Sequence, residues 1–308
     1  MRARLSLPLL ALLSVLSVVT PISAQSTSTH NPTPQTQPRE YKETVCGPRH
    51  LGRCFKDLGN DQIGIWTSPF RLRSRDALWL VPFAGATGAA LHYDADAQQA
   101  LGIDKGRIDT SNSIARFGSP YATLAAGGGL FLLGAISKNE KLSETGRLGA
   151  EAVIDASLVI GGLKLASNRE RPDKGTGTGG FWPHGPDDYT ASGAFPSGHA
   201  AASWAFARVI ASEYPGVVPK LLAYGFATTI SVARVTGRRH FPSDVLVGST
   251  FGYLIGGYVY RHHGADAPEE SIFLVPAADP GTRTYAIRSE FPLSQLIHPK
   301  RAFAHLLP

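Results

Sequence analysis

The chain has 308 residues, 43% of them hydrophobic and 18% charged, with a formal net charge of +6. That length supports one large domain with a real core. The mild positive charge suits anionic substrates or head groups, and the absence of any Lys/Arg run interleaved with aromatics excludes nucleic acid as a partner.

The chain opens on Arg2 and Arg4, an apolar run from Leu5 to Val19, and then Pro21-Ile-Ser-Ala24. This reads as a signal peptide, residues 1–24, cleaved after Ala24. The expected location is therefore exported, periplasmic or extracytoplasmic. The alternative is a retained anchor. Residues 25–45 are expected to be a disordered linker, rich in Ser, Thr, Pro and Gln. Cys46 and Cys54 are the only cysteines, and in an exported chain they predict one disulfide closing a short loop, against two free thiols. Asp61 to Leu80 reads as loop and short helix with no chemistry assigned.

Six apolar stretches follow, at about 77–93, 117–137, 149–164, 199–212, 218–233 and 244–260. They are long for strands and rich in Gly, Ala and Leu, which predicts an all-α bundle of about six core helices within a domain spanning 46–265. Most of the runs are shorter than the roughly 20 apolar residues of a membrane span, and Glu151, Asp155 and Arg208 interrupt them. A soluble exported bundle with membrane-surface association is expected, and an integral membrane protein is the alternative.

Three motifs lie among these stretches. Lys164 to Pro172 reads Lys-Leu-Ala-Ser-Asn-Arg-Glu-Arg-Pro: Lys164 ends a helix and Pro172 forces the exit. A glycine-rich loop, 173–194, carries Phe181, Trp182 and His184; Trp182 is either part of a specificity lid or an ordinary tucked aromatic. Phe-Pro-Ser-Gly-His-Ala at 195–200 makes Ser197 a helix cap and frees the N–H groups of Gly198 and His199 for an anion. Ala233 to Asp244 holds Arg234, His240 and Asp244. With Pro242 and Ser243 opening a helix, the His-x3-Asp spacing lets the carboxylate hold one ring nitrogen while the other faces outward. Lys164, Arg171 and Arg234 supply fixed cations suited to phosphate. Beyond them, residues 266–308 form an extension in which 271–275 and 282–287 flank Asp279-Pro280-Gly281 as a β-hairpin candidate.

The order Lys-x6-Arg-Pro, Pro-Ser-Gly-His, Arg-x5-His-x3-Asp resembles the type 2 phosphatidic acid phosphatase and vanadium haloperoxidase superfamily over Lys164 to Asp244. One departure is Ala233, where the family usually has serine, removing a hydroxyl donor. The resemblance implies a helical bundle with the site at one end. It also implies a metal-independent phosphatase acting on phosphate monoesters or lipid (di)phosphates through a phosphohistidine, with no cofactor. In that reading His240 is the nucleophile, Asp244 orients it, and His199 is the acid and base. Lys164, Arg171, Arg234 and the N–H groups of Ser197 and Gly198 bind phosphate. The rival readings are a phosphotransferase, a vanadate-dependent haloperoxidase, and a non-catalytic anion- or lipid-binding envelope protein. Substrate and oligomeric state stay open.

Overall fold

Eight α-helices make up most of the described residues of the computed structural model, which describes residues 51–174, 176–183, 193–265, 277–278 and 285–286. They are α1 (Leu51–Thr67), α2 (Ala77–Leu101), α3 (Lys105–Ala115), α4 (Pro120–Ser137), α5 (Glu140–Ser167), α6 (Gly198–Glu213), α7 (Val217–Thr236) and α8 (Pro242–His263). The fold is all-α. Two-residue strands, β1 (Ala277–Ala278) and β2 (Tyr285–Ala286), pair antiparallel, a rung smaller than the C-terminal hairpin suggested by sequence. The signal peptide, the linker, Cys46 and most of loop 173–194 beyond Pro183 lie outside the described residues. Cys54 is disulfide-bonded.

The six expected stretches correspond to α2 and to α4 through α8. Helix α5 is longer than its apolar signal because its first turns, Glu140 to Arg147, are charged. Two helices escape the apolar pattern altogether. Helix α3 is mostly polar, capped by the Asp104 side chain on the Arg107 N–H, and the segment Asp61 to Leu80, expected as loop and short helix, holds the end of α1, two short 3-10 turns and the start of α2.

Helices α5, α6 and α8 pack mutually at the centre. Leu148, Ala152, Ala156, Val159 and Ile160 of α5 meet Ala201, Ala205 and Val209 of α6 and Ile255 and Val259 of α8. Helix α6 is buried on nearly every side, which is why alanine serves it and an amphipathic stripe does not. Around this centre, α4 lies on α5 and α6, α7 on α6, α2 on α8, α3 on α7 and α1 on α5.

Small residues set the closest contact. Gly248, Gly252 and Gly256 recur every fourth residue along α8, facing Ser197, Ala201 and Ala205, spaced likewise at the start of α6 and along it. A β-carbon at any of these glycines would collide with the carbonyl oxygen opposite. The two backbones therefore touch directly, and the starts of α6 and α8 are held side by side.

The outer surface is apolar in large part. Tyr121, Leu132, Leu133 and Ile136 of α4 and Val217, Val218, Leu221 and Leu222 of α7 are all exposed. Among the described residues, α4 is the one helix long and apolar enough to cross a membrane, and 17% of it is buried. Two of the charges that interrupt the apolar runs point inward: Asp155 is fully buried and Glu151 pairs with Arg147. They interrupt the sequence pattern without making the outer surface polar.

Candidate active site

Four helix ends meet at one end of the bundle. Lys164 stands in the last turn of α5, Arg234 in the last turn of α7, Ser197 caps α6, and Asp244 lies in the first turn of α8. The left-handed residue Asn168 closes α5 and sends the chain back past the site toward Arg171.

The structure brings the sequence-predicted cations together. Burial pushes the Lys164 ammonium down to about 7, with Arg171 and Arg234 adding to the shift, and its Nζ donates to the Gly193 carbonyl. Burial likewise lowers Arg234 to about 10, helped by Arg171 and Arg239, and the Arg234 Nε is buried with no partner among the described residues. The direction for Arg171 is the same. Three crowded, part-dehydrated cations make a site that favours an anion. A further cation, Arg239, which the motifs do not mark, sits at the rim paired with Asp173 at 2.8 Å.

His240 is buried, and its Nδ1 is 2.7 Å from the Ala194 carbonyl oxygen. A carbonyl can only accept, so Nδ1 carries the hydrogen and Nε2 keeps a lone pair. The expected role of Asp244 needs correction here. Its Oδ2 lies 3.5 Å from His240 Nδ1 and instead accepts from the Phe241 N–H at 2.8 Å. The tautomer is therefore set chiefly by Ala194, while Asp244 supplies charge behind the ring. Burial holds His240 neutral, reinforced by Lys164, Arg234 and Arg171.

His199 follows Gly198 in the first turn of α6. Burial and then Arg234 push it down to about 3, so its imidazole is neutral before any anion arrives. The N–H groups of Gly198 and His199 occupy the first turn, where helical partners are lacking. Ser197 differs from expectation: its N–H donates to the Asp244 carbonyl at 2.9 Å and is spent on joining α6 to α8. Ser197 contributes its cap, Oγ accepting from the Ala200 N–H, and not a phosphate donor.

Behind the site lies a network the motifs do not announce. Arg169 donates to Asp244 Oδ1 at 2.6 Å, Asp94 Oδ2 at 2.8 Å, the Ser243 hydroxyl at 2.7 Å and the Gly179 carbonyl at 2.9 Å. Its guanidinium is flanked by Phe241, at 4.5 Å, and Phe181, at 5.0 Å. Asp94 of α2 also accepts from the Ser243 N–H at 3.0 Å. Ser243 is thus not the cap of α8; the first turn is satisfied by Asp94 and Asp244. Burial raises Asp244 to about 6 although Arg169 pulls it down. Asp94 carries no sequence signal, lying some seventy residues before the first motif. Trp182 donates its N–H to the Asn168 carbonyl with a left-handed backbone. An open cleft of about 480 Å³ adjoins the rim, lined by Ile103, Ile108, Lys174, Arg238 and Arg239, though neither histidine lines it.

Residues 149–267, which contain this whole constellation apart from Asp94, match the family model of the PAP2 superfamily. The likeness to the PAP2 superfamily lies within those residues, which are less than half of the chain. A stretch of 75 residues is 36% identical to a lipid A 1-phosphatase of Porphyromonas gingivalis, a match covering 24% of this chain and 17% of that protein. The chain therefore spans less than a fifth of that relative's length. Among solved structures, a transmembrane PAP2 type phosphatidylglycerolphosphate phosphatase from Bacillus subtilis aligns with a TM-score of 0.44 at 21% identity, covering 61% of this chain and 94% of that one. LpxE of Aquifex aeolicus aligns with a TM-score of 0.39 at 19% identity, covering 54% and 93%.

Proposed function

We propose that the protein is a metal-independent phosphatase acting on a lipid phosphate through a phosphohistidine. The observation that carries the reading is the fixed tautomer of His240, whose Nδ1–H is held by the Ala194 carbonyl beside three buried cations. An imidazole so held presents Nε2 as a nucleophile.

In the first step His240 Nε2 forms a bond to phosphorus as the bond to the leaving oxygen breaks. His199 gives that oxygen a proton. Asp244, whose charge sits 3.5 Å from Nδ1, stabilises the imidazolium that results. Lys164, Arg171, Arg234 and the N–H groups of Gly198 and His199 offset the charge on the three equatorial oxygens. In the second step His199 takes a proton from water, the hydroxide attacks phosphorus, and the bond to Nε2 breaks. His199 is neutral in the free site, so it becomes an acid only once a phosphate dianion offsets the surrounding cations. The proton thus arrives with the substrate's charge.

A lipid ester is favoured by the exposed apolar faces of α4 and α7 and by the stretch of likeness to a lipid A 1-phosphatase. Exported placement with the bundle at a membrane fits the same faces.

The test is leaving-group dependence. His240→Ala should abolish turnover of every ester. His199→Ala should lose about 10²–10⁴-fold on alkyl phosphates and much less in the first half-reaction with nitrophenyl phosphate, whose leaving group needs little protonation. Acid-labile phosphate should then accumulate on His240. Initial rates at 25 °C should be the same in EDTA. Normal turnover by His240→Ala, or label on another residue, overturns the mechanism.

A further inference from the structure

At the other end of α8, nineteen residues and about 28 Å along the helix from Asp244, lies a second cluster. Asp61 of α1, Glu151 of α5 and His263 of α8 face one another there. His263 Nε2 is 2.9 and 2.8 Å from the two oxygens of Asp61 and 3.8 Å from Glu151 Oε1. One potential ligand atom from each of the three lies within 4.8 Å of the others. Asp61 is 2% exposed, although it is charged and stands on an outer helix.

A second observation points to a missing cation. Asp155, one turn beyond Glu151 on the same face of α5, is fully buried. Its Oδ1 accepts from Gln62, the neighbour of Asp61, at 2.7 Å, but its Oδ2 is buried with no partner among the described residues. Both carboxylates of α5 therefore open into the α1–α5 seam that holds Asp61. Arg147 offsets Glu151 at 3.1 Å, which leaves Asp61 and Asp155 to His263 and the Gln62 amide. A buried carboxylate oxygen without a donor is costly, and a cation with its own water would satisfy it.

We propose that Asp61, Glu151 and His263 bind one divalent transition ion, zinc or manganese, with Asp155 accepting from the ion's water. One imidazole with carboxylates suits these ions better than calcium, which takes oxygen ligands throughout. On binding, His263 Nε2 releases its proton to solvent and its lone pair turns to the ion, so protons are released as the site fills. The ion joins residues 61, 151 and 263, closing long stretches of chain and pinning the end of α8 to α1 and α5. It takes no part in phosphoryl transfer at the opposite end.

The test uses the full mature chain stripped with EDTA, then titrated with ZnCl₂ or MnCl₂ alone. About one ion per chain should bind, and at hundredfold excess over Kd the melting temperature should rise by about 5–10 °C. Cobalt(II) at the same site should give visible absorption bands. Glu151→Gln and His263→Gln should each lose the rise and the bands. The His199→Ala/His240→Ala double variant should keep both, separating this site from the phosphate cradle. Failure of the unmodified protein to bind any of the three ions overturns the proposal, whatever the variants do. So does a rise that survives Glu151→Gln, or one that vanishes in the double histidine variant.

Discussion

Removing the charge of Arg169 while keeping its bulk, as in Arg169→Met, should damage stability and acid tolerance together. The guanidinium lies between two carboxylates, and the side chains of Arg169, Asp94 and Asp244 are each no more than 2% exposed. Taking one partner from a buried ion pair costs about 3–5 kcal/mol, because the charge left behind is uncompensated. For a domain of this size that is a fall in melting temperature of about 6–20 °C. The second effect is on ionisation. Asp244 is already raised to about 6 by burial, with Arg169 foremost among the groups holding it down. Without that charge its carboxyl stays protonated to higher pH, and the acid limb of kcat/KM should move up by about 1–3 pH units. Thermal melts and pH–rate profiles of Arg169→Met measure the two effects independently. Adding Asp94→Asn should recover part of the stability by removing one stranded carboxylate and, because the Asp94 charge also raises Asp244, should bring the acid limb only part of the way back. An Arg169→Met protein that melts within about 2 °C of the parent, with its acid limb unmoved, would refute the reasoning.

The unmodified protein should show kcat/KM highest between about pH 6 and 7. Asp244, raised to about 6, loses its charge as pH falls through that value, and Lys164, lowered to about 7, loses its own as pH rises through it. Bound phosphate stabilises the Lys164 charge, so the alkaline limb of kcat should lie above that of kcat/KM; limbs in the reverse order would remove Lys164 from the cradle. Gly252→Ala should destabilise by at least about 1–3 kcal/mol, since the methyl meets backbone and not a movable side chain; a urea titration with an unchanged midpoint would contradict the close contact. Against the soluble bundle expected from sequence, the exposed apolar faces of α4 and α7 predict that the mature protein sediments with membranes and is released by detergent but not by high salt. Full recovery in the soluble fraction without detergent would count against a lipid substrate.

Much of the site was legible because its residues lie at helix ends marked by local chemistry. Ser197 caps α6, Pro242 opens α8, and Lys164 and Arg234 occupy last turns, as their spacing predicts. What could not be read depends on partners distant in sequence. Nothing within 195–244 reveals that the Ser197 N–H is taken by the Asp244 carbonyl, or that Ala194 holds the His240 ring. Arg169 sits among the unspecified positions of the first motif, and Asp94 lies on α2 just past the apolar stretch at 77–93. Charges at 151 and 155 looked like breaks in an apolar helix because sequence does not say which way a side chain faces. Helix α3 was missed for the opposite reason: it is held by its cap and its packing on α7, and not by an apolar stripe.

The glycine stripe on α8 bears on how the site keeps its dimensions. The gap between the α6 amides and the His240–Asp244 segment is gauged by main chain resting on main chain at Gly248, Gly252 and Gly256. Side chains hop between rotamers and can be exchanged; a seam without side chains has no such freedom. The spacing of the α6 amides and His240 is thus insulated from repacking elsewhere in the bundle. Mutational drift in the outer helices can alter what approaches the phosphate cradle while leaving its calibre unchanged.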